Sequence, residues 1–431
     1  MIPFSERIPI KDAKGKDNEK VIIAGYVHEI RALGKMTFIS LRDWTGRIQV
    51  LAKKNEVGDE IFAKANLNKE DVIILEGTVK KNTVAPDGVE ILLSNIDVLS
   101  RVENKLPVDP TGVVPTDIDV RLDYRYIDLR SPNVTTIFRA KSILVTAFRE
   151  YALKNGFVEI HPTSLAGAAT EGGTNIFEVQ YFENKAYLVQ SPQFYKQMAV
   201  VGGLEKVFMT TPVFRAEKHN TIHHLNEIIQ MDCEVGFADD KMGIDYLKGA
   251  FKHVINSVYA YDKARELNPE LNEIKDIKTY TYTEMIDLLN ENNMKIEWGE
   301  DFSREHESKM FEILKEESYV ISEYPTAVRA FYSMPKEDNP EISKSYDLMY
   351  KGLEVSSGAQ RIHIASLLED QLRKRNLDPI NFKFYVDSFR YGAPPHAGWS
   401  LGLERLTMKS LNLKNIREAM MFPRDRTRLV P

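Results

Sequence analysis

The apolar residues of the first hundred positions fall in short alternating runs. Residues 21–30 (VIIAGYVHEI), 36–42 (MTFISLR), 47–52 (RIQVLA), 72–79 (VIILEGTV) and 90–99 (EILLSNIDVL) combine β-branched or aromatic side chains with period-two spacing. That pattern predicts five strands. Turn formers separate them at Leu33-Gly34-Lys35, Trp44-Thr45-Gly46 and Pro86-Asp87-Gly88. Residues 59–65 predict a helix between the third and fourth strands.

Five strands with a helix at that place match an oligonucleotide-binding (OB-fold) β-barrel. Pro107, Asp109, Pro110, Gly112 and Pro115 then crowd together and predict extended chain. Beyond residue 121 the period lengthens. Residues 132–156 predict a long amphipathic helix with Ile137, Ile143, Leu144, Ala147, Phe148 and Tyr151 on one face, ended by Asn155-Gly156. Short strands are predicted at 158–160, 186–190, 207–211, 230–237 and 352–356. Helices are predicted at 242–263, 282–292, 363–376 and 402–411. The chain therefore reads as α+β: a barrel domain over 1–103, a hinge over 104–131, and a domain over 132–431 built on an antiparallel sheet flanked by helices.

Composition narrows the classes. The 431 residues are 43% hydrophobic and 28% charged, which excludes wholesale disorder and collagen. Cys233 is the only cysteine, which excludes an intramolecular disulfide and a cysteine zinc site. The first twenty residues carry no apolar stretch, and no apolar run is long enough to span a membrane, so a soluble cytoplasmic protein is expected. The net charge of −6 hides an asymmetry. Residues 1–105 carry 17 Lys and Arg against 16 Asp and Glu; the remainder carries 40 against 47. A near-neutral front part leaves room for a local basic face that steers a polyanion.

Four clusters in the second half concentrate chemistry. Phe214-Arg215-Ala216-Glu217 is followed by His219-Asn220-Thr221 and His224-Leu225-Asn226-Glu227, and an arginine on a hairpin can fork two phosphate or carboxylate oxygens. A second cluster ends in Gly402-Leu403-Glu404-Arg405, where glycine permits close approach of a ligand to the backbone. A third is Gly352 to Gly358 (GLEVSSG) with Gln360-Arg361. On a regular strand Glu354 would share a face with Ser356, and Ser357 with Val355, unless a bulge intervenes. The fourth comprises Thr170-Glu171-Gly172-Gly173 and Ser191 to Gln197 (SPQFYKQ).

These clusters resemble the motifs of class II aminoacyl-tRNA synthetases, in the subgroup with an N-terminal anticodon-binding barrel, and most closely the archaeal-type, non-discriminating aspartyl enzymes. The resemblance runs from GYVHEIR in the barrel to the terminal FPRDRTRLVP and is weakest between 237 and 323. It implies a class II catalytic domain, aspartate and ATP as substrates, Mg²⁺ as cofactor, tRNA-Asp as acceptor and a homodimer. Arg215, Glu354 and Arg405 would be catalytic. ATP would meet Arg215, Ala216, Glu217, His223, His224, Leu225, Glu354, Gly402, Leu403, Glu404 and Arg405. Aspartate would meet Glu171, Gln193, Lys196, Arg215, Ser357 and Arg361, with Lys196 and Arg361 reading its β-carboxylate. Glu354 and Ser357 would hold the metal. Two buried cations recover their desolvation only when a carboxylate arrives between them, which favours aspartate over neutral asparagine. Arg31, Phe38 and Gln49 align with anticodon readers, Phe38 as the stacking platform.

Some positions depart from the family habit. His161-Pro162-Thr163 reorders the end of the first motif. His223 replaces an arginine, Ile228 an adenine-stacking phenylalanine, and Ser400 and Ala359 two glycines. Tyr26 and Pro86 bear on whether tRNA-Asn is charged as well; Tyr26 matches neither common choice and Pro86 leans toward the relaxed type. Three other readings stand beside this one. An asparaginyl enzyme is disfavoured by Lys196, a tRNA-independent aspartate-activating paralogue by the intact barrel, and a non-catalytic RNA-binding protein by Arg215, Glu354 and Arg405 together.

Overall fold

A computed structural model describes residues 1–167, 175–217 and 221–431. Residues Met1–Pro132 and Asn133–Pro431 form two compact units. In the first, strands Lys20–Leu33, Met36–Asp43, Gly46–Lys53, Val72–Lys81 and Val89–Ser100 close into a barrel. The alternation explains the closure: Ile23, Val27, Ile39, Leu41, Ile48, Val50, Ile73, Leu75, Ile91 and Ile96 fill the interior. Bulges in the first and fifth strands supply curvature. Gly25 and Gly77 allow close strand crossings, since a Cβ would lie 2.2 Å from the Arg42 carbonyl oxygen at the first and 2.4 Å from that of Leu92 at the second. The predicted helix starts earlier than expected, at Lys54–Lys64, and breaks at Gly58, where φ is 79°. Residues 118–128, expected as hinge, contain two short helices, Ile118–Asp123 and Arg125–Asp128. Arg121 and Arg125 both pair with the buried Asp128.

The second unit is built on an eight-stranded sheet. Its order is Lys278–Thr281, Ser318–Ser322, Ser345–Tyr350, Glu354–Arg361, His396–Gly402, Glu227–Gly236, Lys206–Phe214 and Val158–Glu159. The six inner strands are antiparallel, and the pair at each edge is parallel. Helices Pro132–Lys154 and Asp240–Tyr259 pack on one face. Leu144, Phe148, Leu247 and Phe251 meet Phe208, Cys233, Leu348, Trp399 and Leu401 there. This covered face leaves the opposite face of the central strands for polar side chains. The helix Gln193–Ala199 and the loop around Arg329 carry residues that line a cleft with that polar face. No helix among the described residues is long and apolar enough to cross a membrane.

Candidate functional site

The polar face follows from sheet register. Strand Glu227–Gly236 alternates Gln230, Asp232 and Glu234 with Met231, Cys233 and Val235, and the apolar set goes to the core. Asp232 pairs across with Ser400, Ser400 with Ser357, and Ser357 with Asp347, so four adjacent strands present one row of polar side chains. Glu354 joins them through a bulge. Met349 faces Glu354 while Leu348 faces Ser356, so Val355 is the extra residue. Val355 and Ser356 are both buried, and Glu354 and Ser357 emerge together on the polar side.

A cleft of about 550 Å³ lies over this face, lined by Gln193, Lys196, Arg215, Asp232, Glu354, Ser357 and Arg361 among others. Lys196 is only 1% exposed. Its ammonium donates to Asp232 Oδ1 at 2.7 Å and lies 3.4 Å from Glu234 Oε2. Arg361 Nε donates to Glu234 Oε1 at 3.1 Å. Lys196 and Arg361 therefore converge on the two oxygens of one carboxylate. The expectation that these cations wait unpaired is corrected: Asp232 and Glu234 already neutralise them, because a buried charge without a partner is too unfavourable to keep. Burial alone would push the Glu234 carboxyl up, but Arg361 and then Lys196 outweigh it and hold it below the usual carboxylate range. Burial opposes ionisation of Arg361 too, and Glu234 overcomes it, raising its pKa. Gly398 makes room for this arrangement, since a Cβ there would lie 1.9 Å from Glu234 Oε2.

Behind the cleft Gln193 Nε2 donates to Gln197 Oε1 at 2.8 Å. That oxygen also accepts from Tyr385 at 2.7 Å, and the Gln197 amide nitrogen meets His396 Nε2 at 2.8 Å. Gln193 is thus held by a buried polar chain. Across the cleft Arg329 donates to both oxygens of Asp347, at 2.8 and 2.6 Å, and to Ser357 Oγ at 2.6 Å.

A second pocket, about 170 Å³, is lined by Glu217, His223, His224, Leu225, Ile228, Gly402, Glu404 and Arg405. Arg215, Gln230, Glu354, Ser357 and Ser400 line both cavities, so the two meet at those side chains. The hairpin between Lys206–Phe214 and Glu227–Gly236 presents Arg215, and Asn226 holds its open end by donating to the carbonyls of Arg215 and Glu217. Arg405 donates to the Glu354 carbonyl oxygen at 2.9 Å and lies 3.4 Å from its carboxylate. Burial pushes the Glu354 carboxyl up; Arg405 offsets this in part, and Asp347 adds to it. His224 Nδ1 lies 2.6 Å from Thr221 Oγ1. Burial lowers the pKa of both histidines; Arg304 and Lys409 add to this at His223, while Glu217 opposes it at His224.

Three expected ATP contacts look different in place. The Leu403 side chain is buried in the core. Glu404 lines the pocket, but its oxygens engage Lys141 at 2.7 Å and the Ile229 amide at 2.9 Å, fastening the helix start to the sheet. The Ala216 amide donates to Asn175. Glu171 lies outside the described residues, as do Thr170, Gly172, Gly173, His219 and Asn220. Sequence reasoning missed Asp232, Glu234, Arg329 and Asp347. The alternating acids of QMDCEV were the available signal for the first two. Arg329 sits in a loop with no periodic signal.

In the barrel unit, Arg31, Phe38 and Gln49 line one groove of about 640 Å³, together with Pro86. Phe38 is half-buried there between the buried Thr37 and Ile39. Glu90 accepts from Gln49 and from Asn82, each at 2.9 Å. Tyr26 is held elsewhere, its ring 4.5 Å from the Arg130 guanidinium and 5.7 Å from that of Arg42.

Comparison with known proteins gives two family matches. Residues 117–426 match the tRNA synthetases class II (D, K and N), and residues 21–99 match the OB-fold nucleic acid binding domain. The chain is 46% identical over 424 residues to the aspartate–tRNA(Asp/Asn) ligase of Methanocaldococcus jannaschii, covering 96% of this chain and 95% of that protein. It is 45% identical to the aspartate–tRNA(Asp) ligase of Pyrococcus abyssi, covering 96% and 97%. Among solved structures, an asparaginyl-tRNA synthetase from Pyrococcus horikoshii with asparaginyl-adenylate superposes with a TM-score of 0.93 at 32% identity, covering 99% of this chain and all of the other. An aspartyl-tRNA synthetase from Entamoeba histolytica gives 0.88 at 31%, covering 99% and 93%. With the polar cleft, the adjoining pocket and the barrel all in one chain, these matches establish that the protein belongs to the class II tRNA synthetases of the D, K and N group.

Proposed function

We propose that this protein activates L-aspartate with ATP and transfers the aspartyl group to tRNA-Asp and tRNA-Asn. The observation that carries the amino-acid assignment is the convergence of Lys196 and Arg361 on a single carboxylate at the cleft. A substrate side chain with two acceptor oxygens satisfies such donors; the amide NH₂ of asparagine would face them with a donor of its own.

The geometry supports an in-line displacement. The substrate α-carboxylate oxygen attacks the α-phosphorus of ATP, the bond to the pyrophosphate oxygen breaks, and aspartyl-adenylate remains. Arg215, at the junction of the two cavities, is suited to neutralise charge that develops on the α-phosphate. Holding both reactants beside it supplies the proximity the step needs. Arg405 and His224 line the smaller cavity and are suited to meet the outer phosphates. Glu354 and Ser357 offer only oxygen donors, and a carboxyl whose pKa burial raises is one that a divalent cation would favour in its ionised form. They would hold Mg²⁺, which supplies charge neutralisation on the phosphates. In the second step a hydroxyl of the tRNA's terminal ribose attacks the aspartyl carbonyl and AMP leaves.

Acceptance of tRNA-Asn is supported by Pro86 in the barrel groove and by the name of the M. jannaschii relative. We take the working unit to be a homodimer, as the family resemblance implies, to be checked by sedimentation velocity. The decisive experiment is pyrophosphate exchange with aspartate and with asparagine, followed by charging of both tRNAs. Exchange with asparagine alone would overturn the amino-acid assignment, and charging of tRNA-Asp alone the second acceptor.

A further inference from the structure

We propose that Ser400 is a positioning residue that sets aspartate affinity by limiting how strongly Asp232 competes with the substrate for Lys196. The inference rests on the aspartate reading above. It starts from crowding around the Lys196 ammonium. Asp232 Oδ1 lies at 2.7 Å, Glu234 Oε2 at 3.4 Å, and the carbonyl oxygens of Cys233 and Trp399 at 3.5 Å. An ammonium has three N–H donors. A substrate carboxylate reaching Lys196 must therefore displace an acceptor, and Asp232 is the nearest.

Ser400 acts on that acceptor from the other side. Its hydroxyl donates to Asp232 Oδ2 at 3.1 Å, so the Asp232 carboxylate is held between two donors, one on each oxygen. The tether keeps Oδ2 turned from the ammonium. Without it the carboxylate can rotate and bring its second oxygen to Lys196, and the substrate must then break a stronger ion pair. The position is specific. Residues 398 and 402, two steps away on either side along the strand, are glycines, so Ser400 is the one side chain that strand offers this face between them. It sits in register between Asp232 and Ser357 and lines both cavities.

Steady-state pyrophosphate exchange of Ser400→Ala, Ser400→Gly and Ser400→Thr tests the role. Alanine and glycine are expected to raise the aspartate KM about tenfold, the scale of a hydrogen bond to a charged group. The kcat and the ATP KM should stay within about twofold, and threonine, which keeps the hydroxyl, should restore the aspartate KM. In an Asp232→Asn background the Ser400→Ala effect should shrink to less than about twofold, because the competing charge is gone. Calorimetric titration of aspartate without ATP should show the same loss of affinity. An unchanged aspartate KM in Ser400→Ala overturns the proposal. So does a loss that falls on kcat or the ATP KM, or a loss that persists undiminished beside Asp232→Asn. Wild-type protein that fails to exchange with aspartate would instead overturn the amino-acid assignment, so the two failures are distinct.

Discussion

Lys196→Leu probes the amino-acid pocket most directly. The side chain is 1% exposed, and its ammonium balances Asp232 at 2.7 Å and shares Glu234 at 3.4 Å. Removing it leaves two buried carboxylates facing Arg361 alone. Breaking a buried pair in this way costs about 3–5 kcal/mol. Against a total of roughly 5–15 kcal/mol, the variant should unfold at clearly lower denaturant yet remain folded at 25 °C. Aspartate use should fall further. The substrate β-carboxylate loses a charge-assisted donor, about 1.5–3 kcal/mol. It also meets Asp232 without a cation between them, a repulsion of about 4 kcal/mol at ~4 Å and an effective dielectric near 20. Together these predict a loss in kcat/KM of about 10³-fold or more in aspartate-dependent pyrophosphate exchange. The double variant Lys196→Leu/Asp232→Asn separates the two effects. It removes the stranded charge, so the denaturation midpoint should recover most of its loss. Exchange should stay at least tenfold down, because a neutral amide donor does not replace a charged one. Folded Lys196→Leu with wild-type aspartate kinetics would remove Lys196 from the site. Full recovery of exchange in the double variant would show that the single variant acted only through the stranded Asp232 charge and not through loss of a donor to the substrate.

Three further outcomes are expected. Gly398→Ala should abolish aspartate-dependent exchange, since its Cβ would lie 1.9 Å from Glu234 Oε2 and 2.5 Å from the Cys233 carbonyl oxygen; a soluble variant with normal KM would refute the close-approach argument. Phe38→Ala should lower tRNA charging by about 1–3 kcal/mol, roughly 5- to 150-fold, while leaving pyrophosphate exchange intact; an equal loss in both assays would count against a stacking role in the barrel. Burial, opposed in part by Glu217, depresses the His224 pKa, so the stability this group contributes is present above about pH 6.5 and is lost as pH falls through its folded value. Bound phosphate should raise that pKa. Calorimetry of ATP binding in two buffers should therefore show proton uptake near pH 6 that fades by pH 8 and shrinks in His224→Asn. Buffer-independent heats at pH 6 would place His224 away from the phosphates.

Local pattern carried much of the fold. The five barrel strands, the helix ending at Lys154 and the strands around Phe208 and Cys233 all lie where period-two or helical spacing predicted them. Strands Ser345–Tyr350 and His396–Gly402 were not anticipated. The first is buried at every position and the second at nearly every one, so neither shows the alternation of a half-exposed strand. The phase of Glu354 and Ser357 was open for a related reason. One inserted residue, Val355, reverses the face of everything before it, and a bulge leaves no mark in composition.

The chain alone determined that a barrel precedes an α+β domain, and that Lys196, Arg215, Glu354 and Arg361 stand in motifs with a shared chemistry. The first follows from side-chain periodicity and the second from the likeness of short motifs to a known family, and both are read over a few residues at a time. Only the tertiary structure decided that Asp232 and Glu234 already satisfy the two cations, that Ser400 reaches Asp232, and that Leu403 turns inward. Those contacts join residues 36 to 168 positions apart. They depend on which strands lie side by side and in what register, and short-range pattern carries no record of either.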